Sequence, residues 1–537
     1  MRITYLTLII LAFISGELKA QVTQEWLTRY NSVGNGNDIA LGMVVDKQGN
    51  EYVCGKNDSS SYVTIKYNSS GINQWVRTYT GFTGLRGYVK FIGTDDSGNV
   101  YVAGNVGNVS NQNDHPLIIK YNSIGEQIWI IRDDTGNYYD VTGMVTDNTG
   151  NIYITGYIAQ LFGTYWKTFK YNSSGVLQWS RISNKLEDYN TPISLIVKSG
   201  NVYVTGYCTY RFKGTLRYKY VTQKINDLGI QQWTVEYLGI NNQNSIATSL
   251  AVDQNENVYI TGNSYNASGN LDYTTIKYSS EGQEIWVTRS NQQLDTSADK
   301  AVIAIDNSDN IYVTGSIVTG SGINLSITKY NSSGDQQWIV IYNGLTNGSD
   351  KPLSLKTDDN NNLYVLVLTT DCCGGSVSNV LKFNTSGTLK WETPYFGESG
   401  GNVNAFYLGM DTAKNLYVTG TRFYPTSNQD IVTIKYSQIV NIHQINSEIP
   451  EKYSLSQNYP NPFNPSTTIK LSLPKTSFVK LKVFDQLGKE VSNLVNQDLS
   501  AGNYSFDFNA GSLSSGIYFY KLETPAFSET KRMVLIK

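Results

Sequence analysis

Asp306-Asn307-Ser308-Asp309-Asn310-Ile311-Tyr312-Val313-Thr314-Gly315 runs from five turn-forming residues into four strand-forming ones and ends on glycine. Downstream, Thr328-Lys329-Tyr330-Asn331-Ser332-Ser333-Gly334 gives another strand and turn, and Trp338 follows. Outward from this stretch the same landmarks return eight times. Tryptophans stand at 26, 75, 129, 179, 233, 286, 338 and 391, about 52 residues apart, and only Trp166 of the nine falls outside the series. An Asn-x-Tyr motif places Tyr52, Tyr101, Tyr153, Tyr203, Tyr259, Tyr312, Tyr364 and Tyr417 in register. A Lys-Tyr motif or a variant of it ends at Tyr67, Tyr121, Tyr171, Ile225, Tyr278, Tyr330, Phe383 and Tyr436.

Each period holds four short strands, which in the first repeat are expected at 42–46, 51–55, 63–67 and 74–79. Turns Lys47-Gln48-Gly49-Asn50 and Asn68-Ser69-Ser70-Gly71 join the first strand to the second and the third to the fourth. Four-stranded units in this number predict an all-β, eight-bladed β-propeller over 21–437. The segment around Trp26 precedes any first strand, and the last period stops at Tyr436 without a fourth. The N-terminal strand is therefore expected to close the last blade. The repeat resembles the SBBP family of bacterial β-propeller repeats, which implies a propeller fold and an exported setting but assigns no reaction.

Composition agrees with an all-β chain and excludes several functions. Of 537 residues, 40 are Tyr and 47 Gly, and charged residues make up only 16%. Forty-two basic and 44 acidic side chains leave a net charge of −2, without the basic footprint of a nucleic-acid binder. His115 and His443 are the only histidines, so most metal sites and acid–base triads lack their usual material. No metal, cofactor or catalytic residue is expected. Cys372 and Cys373 are adjacent and could close a strained vicinal disulfide, whereas Cys54 and Cys208 read as isolated packing residues. Asp-rich turns such as Asp95-Asp96-Ser97-Gly98-Asn99 invite a calcium reading, but Lys198-Ser199-Gly200-Asn201 at the equivalent place keeps no carboxylate. Ordinary hairpin turns account for them better.

The two ends read as sorting signals. Arg2, an apolar run over 5–14 and Leu18-Lys19-Ala20 predict a cleaved leader over 1–20, too short to span a bilayer as a helix. No transmembrane segment is expected in the mature chain. Prolines crowd the last ninety residues, and after a linker at 438–450 the alternating strands of 451–537 predict a small β-sandwich. There Asn458-Tyr459-Pro460-Asn461-Pro462-Phe463-Asn464-Pro465, Asp485-Gln486-Leu487-Gly488-Lys489-Glu490-Val491, Leu513-Ser514-Ser515-Gly516-Ile517-Tyr518 and the closing Lys531-Arg532-Met533-Val534-Leu535-Ile536-Lys537 resemble C-terminal sorting domains of type IX secretion, in the same order. The resemblance implies a partner in that secretion machinery. It also implies passage through the periplasm and outer membrane to the cell surface or medium.

A binding face follows from loop lengths. Alternating strand directions put the first–second and third–fourth turns at one end of the propeller, where they are short and uniform. The second–third connections gather at the other end and vary, as functional loops do. In the third repeat they carry Tyr157, Phe162, Tyr165 and Trp166; in the fourth, Tyr207, Tyr210, Phe212, Tyr218 and Tyr220 interleave with Arg211, Lys213, Arg217 and Lys219. Tyr157, Phe162, Tyr165, Trp166, Tyr210, Arg211 and Phe212 are the candidate ligand contacts, for a glycan or a protein. The expected function is thus binding or scaffolding without covalent chemistry. A surface spacer without a ligand site is the alternative, and a quinoprotein-like or polysaccharide-active propeller enzyme a third.

Overall fold

A computed structural model describes residues 22–537 except 58–60, 81–84, 109–113, 133–137, 161–162, 184–188, 291, 293, 295–300, 321, 345–347, 371–374, 397–401, 425–427, 439–441, 447–448 and 511–512. The leader expected over 1–20, Phe162 and the Cys372–Cys373 pair lie outside the described residues. Residues 24–437 form one compact unit, and 438–537 fall in a second.

In the first repeat, strands Ile39–Val45, Glu51–Lys56, Tyr62–Tyr67 and Asn73–Tyr79 pair antiparallel in chain order. The same four-stranded sheet recurs over 85–132, 139–182, 190–237 and 245–289. The sixth and seventh repeats, 302–342 and 349–395, are joined by one parallel residue pair, Ile323 with Ser349. In the eighth, Asn402–Met410, Leu416–Phe423 and Gln429–Gln438 take Val22–Tyr30 from the far end of the chain as their fourth strand.

The first strand of the first repeat begins at Ile39 rather than at 42 as expected. A bulge between Ala40 and Gly42 breaks the strict alternation by which the strand was read. The bulge returns at the equivalent place in the second, third, fourth, fifth, seventh and eighth repeats. Each first strand packs against the first strand of the next repeat, and Asn402–Met410 packs against Ile39–Val45, so the series returns to its start.

Second and third strands are covered on both sides by neighbouring sheets. They therefore read as continuous buried runs: in Ile311–Thr319 the first seven residues are all buried. The fourth strands lie outermost, and Glu284–Arg289 alternates between exposed and half-buried. Glycine is required at Gly315, where an added Cβ would enter the Tyr273 ring of the preceding repeat.

The tryptophan spacing has a physical cause. Seven of the eight fourth-strand indoles lie on the glycine of the next repeat's third–fourth turn, among them Trp233 on Gly282, Trp286 on Gly334 and Trp338 on Gly387. The same indoles donate to a carbonyl in that turn, Trp338 Nε1 to Thr385 O at 3.0 Å and Trp233 Nε1 to Ser280 O at 2.9 Å. Trp26 repeats the contact across the closure, on Gly71 and to Ser69 O at 3.1 Å. Gly282 combines φ +80° with a would-be Cβ 2.9 Å from Trp233. Gly282→Ala is expected to destabilise the propeller by about 1–3 kcal/mol, from left-handed backbone strain and from overpacking. Denaturant unfolding checks this; an unchanged midpoint would contradict the indole–glycine latch.

The C-terminal unit holds two four-stranded sheets. One orders Ile442–Asn446, Gly502–Asn509, Ser466–Leu473 and Ser454–Leu455; the other orders Glu490–Leu499, Ser477–Phe484, Gly516–Thr524 and Phe527–Leu535. Ile469, Leu471, Val479, Leu481, Phe506, Tyr520 and Met533, drawn from both sheets, share one buried apolar cluster.

Candidate functional site

The two ends of the repeat unit differ in what their side chains are free to do. At the short-turn end, Asp306 Oδ1 accepts from the backbone N–H of Ser308 and Asn310, each at 2.9 Å. Its Oδ2 accepts from Asn310 Nδ2 and from the Tyr312 hydroxyl, also at 2.9 Å. Lys329 lies 5.3 Å over the Tyr312 ring and donates to Thr385 O of the next repeat at 3.1 Å. Burial pushes the Tyr312 phenol above its ordinary range, and the Asp306 charge adds to that shift. This is the role of the Asn-x-Tyr and Lys-Tyr landmarks: they close the turn and bind it to its neighbour.

The fourth repeat, which lacks the aspartate, borrows a carboxylate. Glu256 of the next repeat accepts from the Tyr203 hydroxyl at 2.8 Å, from Asn201 Nδ2 at 3.1 Å and from Lys224 at 3.0 Å. Turn carboxylates so engaged are structural. Among the described residues no three His, Cys, Asp or Glu side chains cluster as metal ligands do. A 330 Å³ cleft at this end, lined by Asp46, Lys47, Asp95, Asp96 and Asn148, is crossed by the exposed Lys47–Asp96 pair at 2.8 Å. A pair so open to solvent contributes little.

At the other end the fourth repeat projects. Its hairpin Asn201–Phe212 and Thr215–Ile225 turns at Lys213-Gly214, whose φ values of +49° and +81° suit a two-residue turn. The first strand of the sheet stops pairing at Asn190–Cys208, and the fourth stops at Tyr220–Tyr237. Residues 210–218 therefore extend past the ladders of both flanking strands, while at their base Thr209 N–H still donates to Tyr189 O at 2.8 Å.

The candidate contacts divide on this frame. Arg211 is exposed and Phe212 half-buried, with Lys213 5.4 Å over the Phe212 ring. Tyr210 is nearly buried; its hydroxyl donates to Asn242 O at 2.9 Å, and Lys219 sits 5.7 Å over its ring. Lys219 also pairs with Glu236 at 2.7 Å. Tyr157 and Tyr165 are half-buried on the neighbouring hairpin. Burial raises the Tyr157 phenol, the nearby Asp140 charge raises it further, and Lys90 pairs with that Asp140. Tyr157 is thus held protonated, a donor rather than a base.

Trp166 departs from expectation. It is 1% exposed and packs with Leu195, Val204, Cys208 and Val221 of the fourth repeat, so it belongs to the core between sheets and not to an exposed patch. Its cross-strand partner Tyr157 is half-buried, and strand alternation alone does not tell the solvent side from the neighbour's side when both faces are covered. Trp166→Ala is expected to cost about 3–5 kcal/mol in thermal or denaturant unfolding. Any ligand binding should fall only with the unfolded fraction. Cys54 and Cys208 are both buried, as packing residues should be. Composition gave no sign of Tyr138, which stands 6.2 Å from Tyr157, ring to ring.

Comparison with known proteins gives the chain's setting. Residues 457–537 match the family model of the secretion system C-terminal sorting domain, and 232–270 match that of a β-propeller repeat. The chain carries a β-propeller repeat at 232–270 and a type IX sorting tail at 457–537. This all-β propeller protein is exported by that system to the cell surface or the medium. Among its described residues no helix is long and apolar enough to cross a membrane. No curated protein matches the chain. Among solved structures, a PL25 ulvan lyase is 11% identical, with 76% of this chain and 95% of the lyase covered at TM-score 0.40. The polysaccharide lyase Uly1 is 10% identical, covering 80% and 94% at 0.40. PorZ, a surface component of the type IX system of Porphyromonas gingivalis, is 11% identical, covering 95% and 100% at 0.23.

Proposed function

We propose that this propeller protein is a surface-delivered binding module, an eight-bladed ring over 21–437 that presents its hairpin end to a glycan or protein ligand. On this reading residues 438–450 are the linker and 451–537 a β-sandwich that serves export. The unbroken series of first-strand contacts supports the ring, and the shared core of the two C-terminal sheets supports the sandwich.

The observation that carries the binding role is the fourth-repeat hairpin. Its tip extends past the last ladder pairs of both flanking strands, with Arg211 exposed and Phe212 half open, while the short-turn end spends its polar groups on turns and neighbours.

Excision of residues 211–216, with Tyr210 rejoined to Arg217 through Asn-Gly, tests the role. The shortened protein should fold and lose retention on a glycan array and on whole-cell extract. Retention equal to that of the full protein, on every surface that binds it, would remove the hairpin end from the function.

A further inference from the structure

The charges at the hairpin end are not evenly shared. Between the second-strand glycine and the third-strand threonine, the third and fourth repeats hold Lys167, Arg211, Lys213, Arg217 and Lys219 and no carboxylate. The corresponding connections of the other six hold Lys56 and Arg422 against Asp58, Asp114, Asp272, Asp371 and Asp430. The fourth repeat alone concentrates four cations in this connection, although Glu236 pairs with Lys219 at its base and Asp140 lies beside the third repeat. The asymmetry is independent of packing, since two cations of the fourth repeat stand at its exposed tip, Arg211 and Lys213.

Aromatic rings accompany the cations. Tyr207 and Tyr218 meet edge to face at 5.5 Å and 83°, both half-buried, and Phe212 is half open beneath Lys213. The sole large aliphatic side chain exposed on the hairpin is Leu216, at 39%. Such a surface offers flat ring faces and fixed positive charge, but little apolar depth for a partner's side chains. Pyranose rings present C–H faces that rest on aromatic planes, and guanidinium groups take carboxylate or sulfate oxygens in pairs. Nucleic acid would meet the same cations, but the near-neutral, slightly acidic chain offers it no wider field.

We propose that the hairpin of the fourth repeat docks an acidic polysaccharide, a chain bearing uronate or sulfate groups, along its cationic tip around Arg211 and Lys213. This rests on the binding role proposed above and names its ligand class.

The test uses the mature full chain against immobilised alginate, heparin, neutral dextran and poly-glutamate. Alginate or heparin should bind, dextran should not, and binding should fade as salt rises from about 0.05 to 0.5 M because the contacts are screened. Arg211→Gln with Lys213→Asn, both at exposed positions, should weaken binding about tenfold or more at unchanged melting temperature. Lys213→Asn alone, at a turn position that favours Asn, should give a smaller loss and serves if the double variant is destabilised. Poly-glutamate bound as tightly as alginate would overturn the ligand class in favour of an acidic protein. Neutral glycans bound through the hairpin, with no polyanion retained, would sink the charge argument and leave the binding role standing. Polyanion binding untouched by both variants would place the site elsewhere.

Discussion

Removing residues 22–30 is expected to lower the melting temperature of the propeller by roughly 10 °C or more and to make it self-associate. That strand is the fourth of the last sheet, and it brings Trp26 onto Gly71 and Ser69 of the first repeat. Trp26 is half-buried and contributes less than the about 3–5 kcal/mol of a fully buried Trp, but the strand adds its whole backbone ladder, against total stabilities of about 5–15 kcal/mol. Its loss bares Gln429–Gln438 as a long unpaired edge, a template for pairing between molecules. Calorimetry and size-exclusion chromatography at several concentrations measure both effects. A truncated protein that melts with the full chain and stays monomeric would show that the N-terminal strand closes nothing.

The second large effect lies on the same seam. Where seven repeats place Val100, Ile152, Val202, Val258, Ile311, Leu363 and Leu416, the first has Glu51, fully buried. Thr419 of the eighth repeat donates to Glu51 Oε1 at 2.6 Å and shares a further bond with Thr433, while Oε2 has no hydrogen-bond partner among the described residues. Burial drives the carboxyl up to about 8, with the Thr419 bond opposing. The phenols of Tyr67 and Tyr417 are the ionisable groups that feel its charge.

A carboxyl raised on folding contributes fully below its unfolded value of 4.5, and that contribution is lost as pH climbs through about 8. The shift corresponds to about 5 kcal/mol at most. Glu51→Leu should therefore raise the melting temperature at about pH 8.5 by on the order of 5 °C, and flatten its dependence on pH between about 5 and 8.5. Glu51→Gln should flatten it too while keeping a partner for Thr419. A wild-type curve already flat across that range would remove Glu51 from the seam's energetics.

Much of this architecture was legible in the residues. Period and landmark spacing announce four strands per repeat because every repeat faces the same packing problem, with Trp on glycine, Tyr on aspartate and Lys over Tyr. What stayed hidden was anything depending on the neighbouring sheet. Trp166 reads as a loop aromatic until Cys208 and Leu195 are seen against it. The bulge at Leu41 hides the start of its strand, since the extra residue spoils the period by which strands are read. Glu51 sits in plain sight within an aliphatic column, but its cost appears only once Thr419 and a closed seam surround it. Exposure at the hairpin tip was readable in part, from alternation and charge around Arg211; how far it projects was not.

The closing strand also decides which way the molecule faces. Glu25 bonds Ser437, while Asp38 and Asn35 reach Gln429 and Asn428, so the two segments run in opposite directions. The start of the strand at Val22 and the end of Gln429–Gln438 thus meet at one rim, beside the Ser69 turn. Entry and exit share a doorway. Whatever is joined to either end of the propeller is therefore joined at that rim, the end opposite the fourth-repeat hairpin tip.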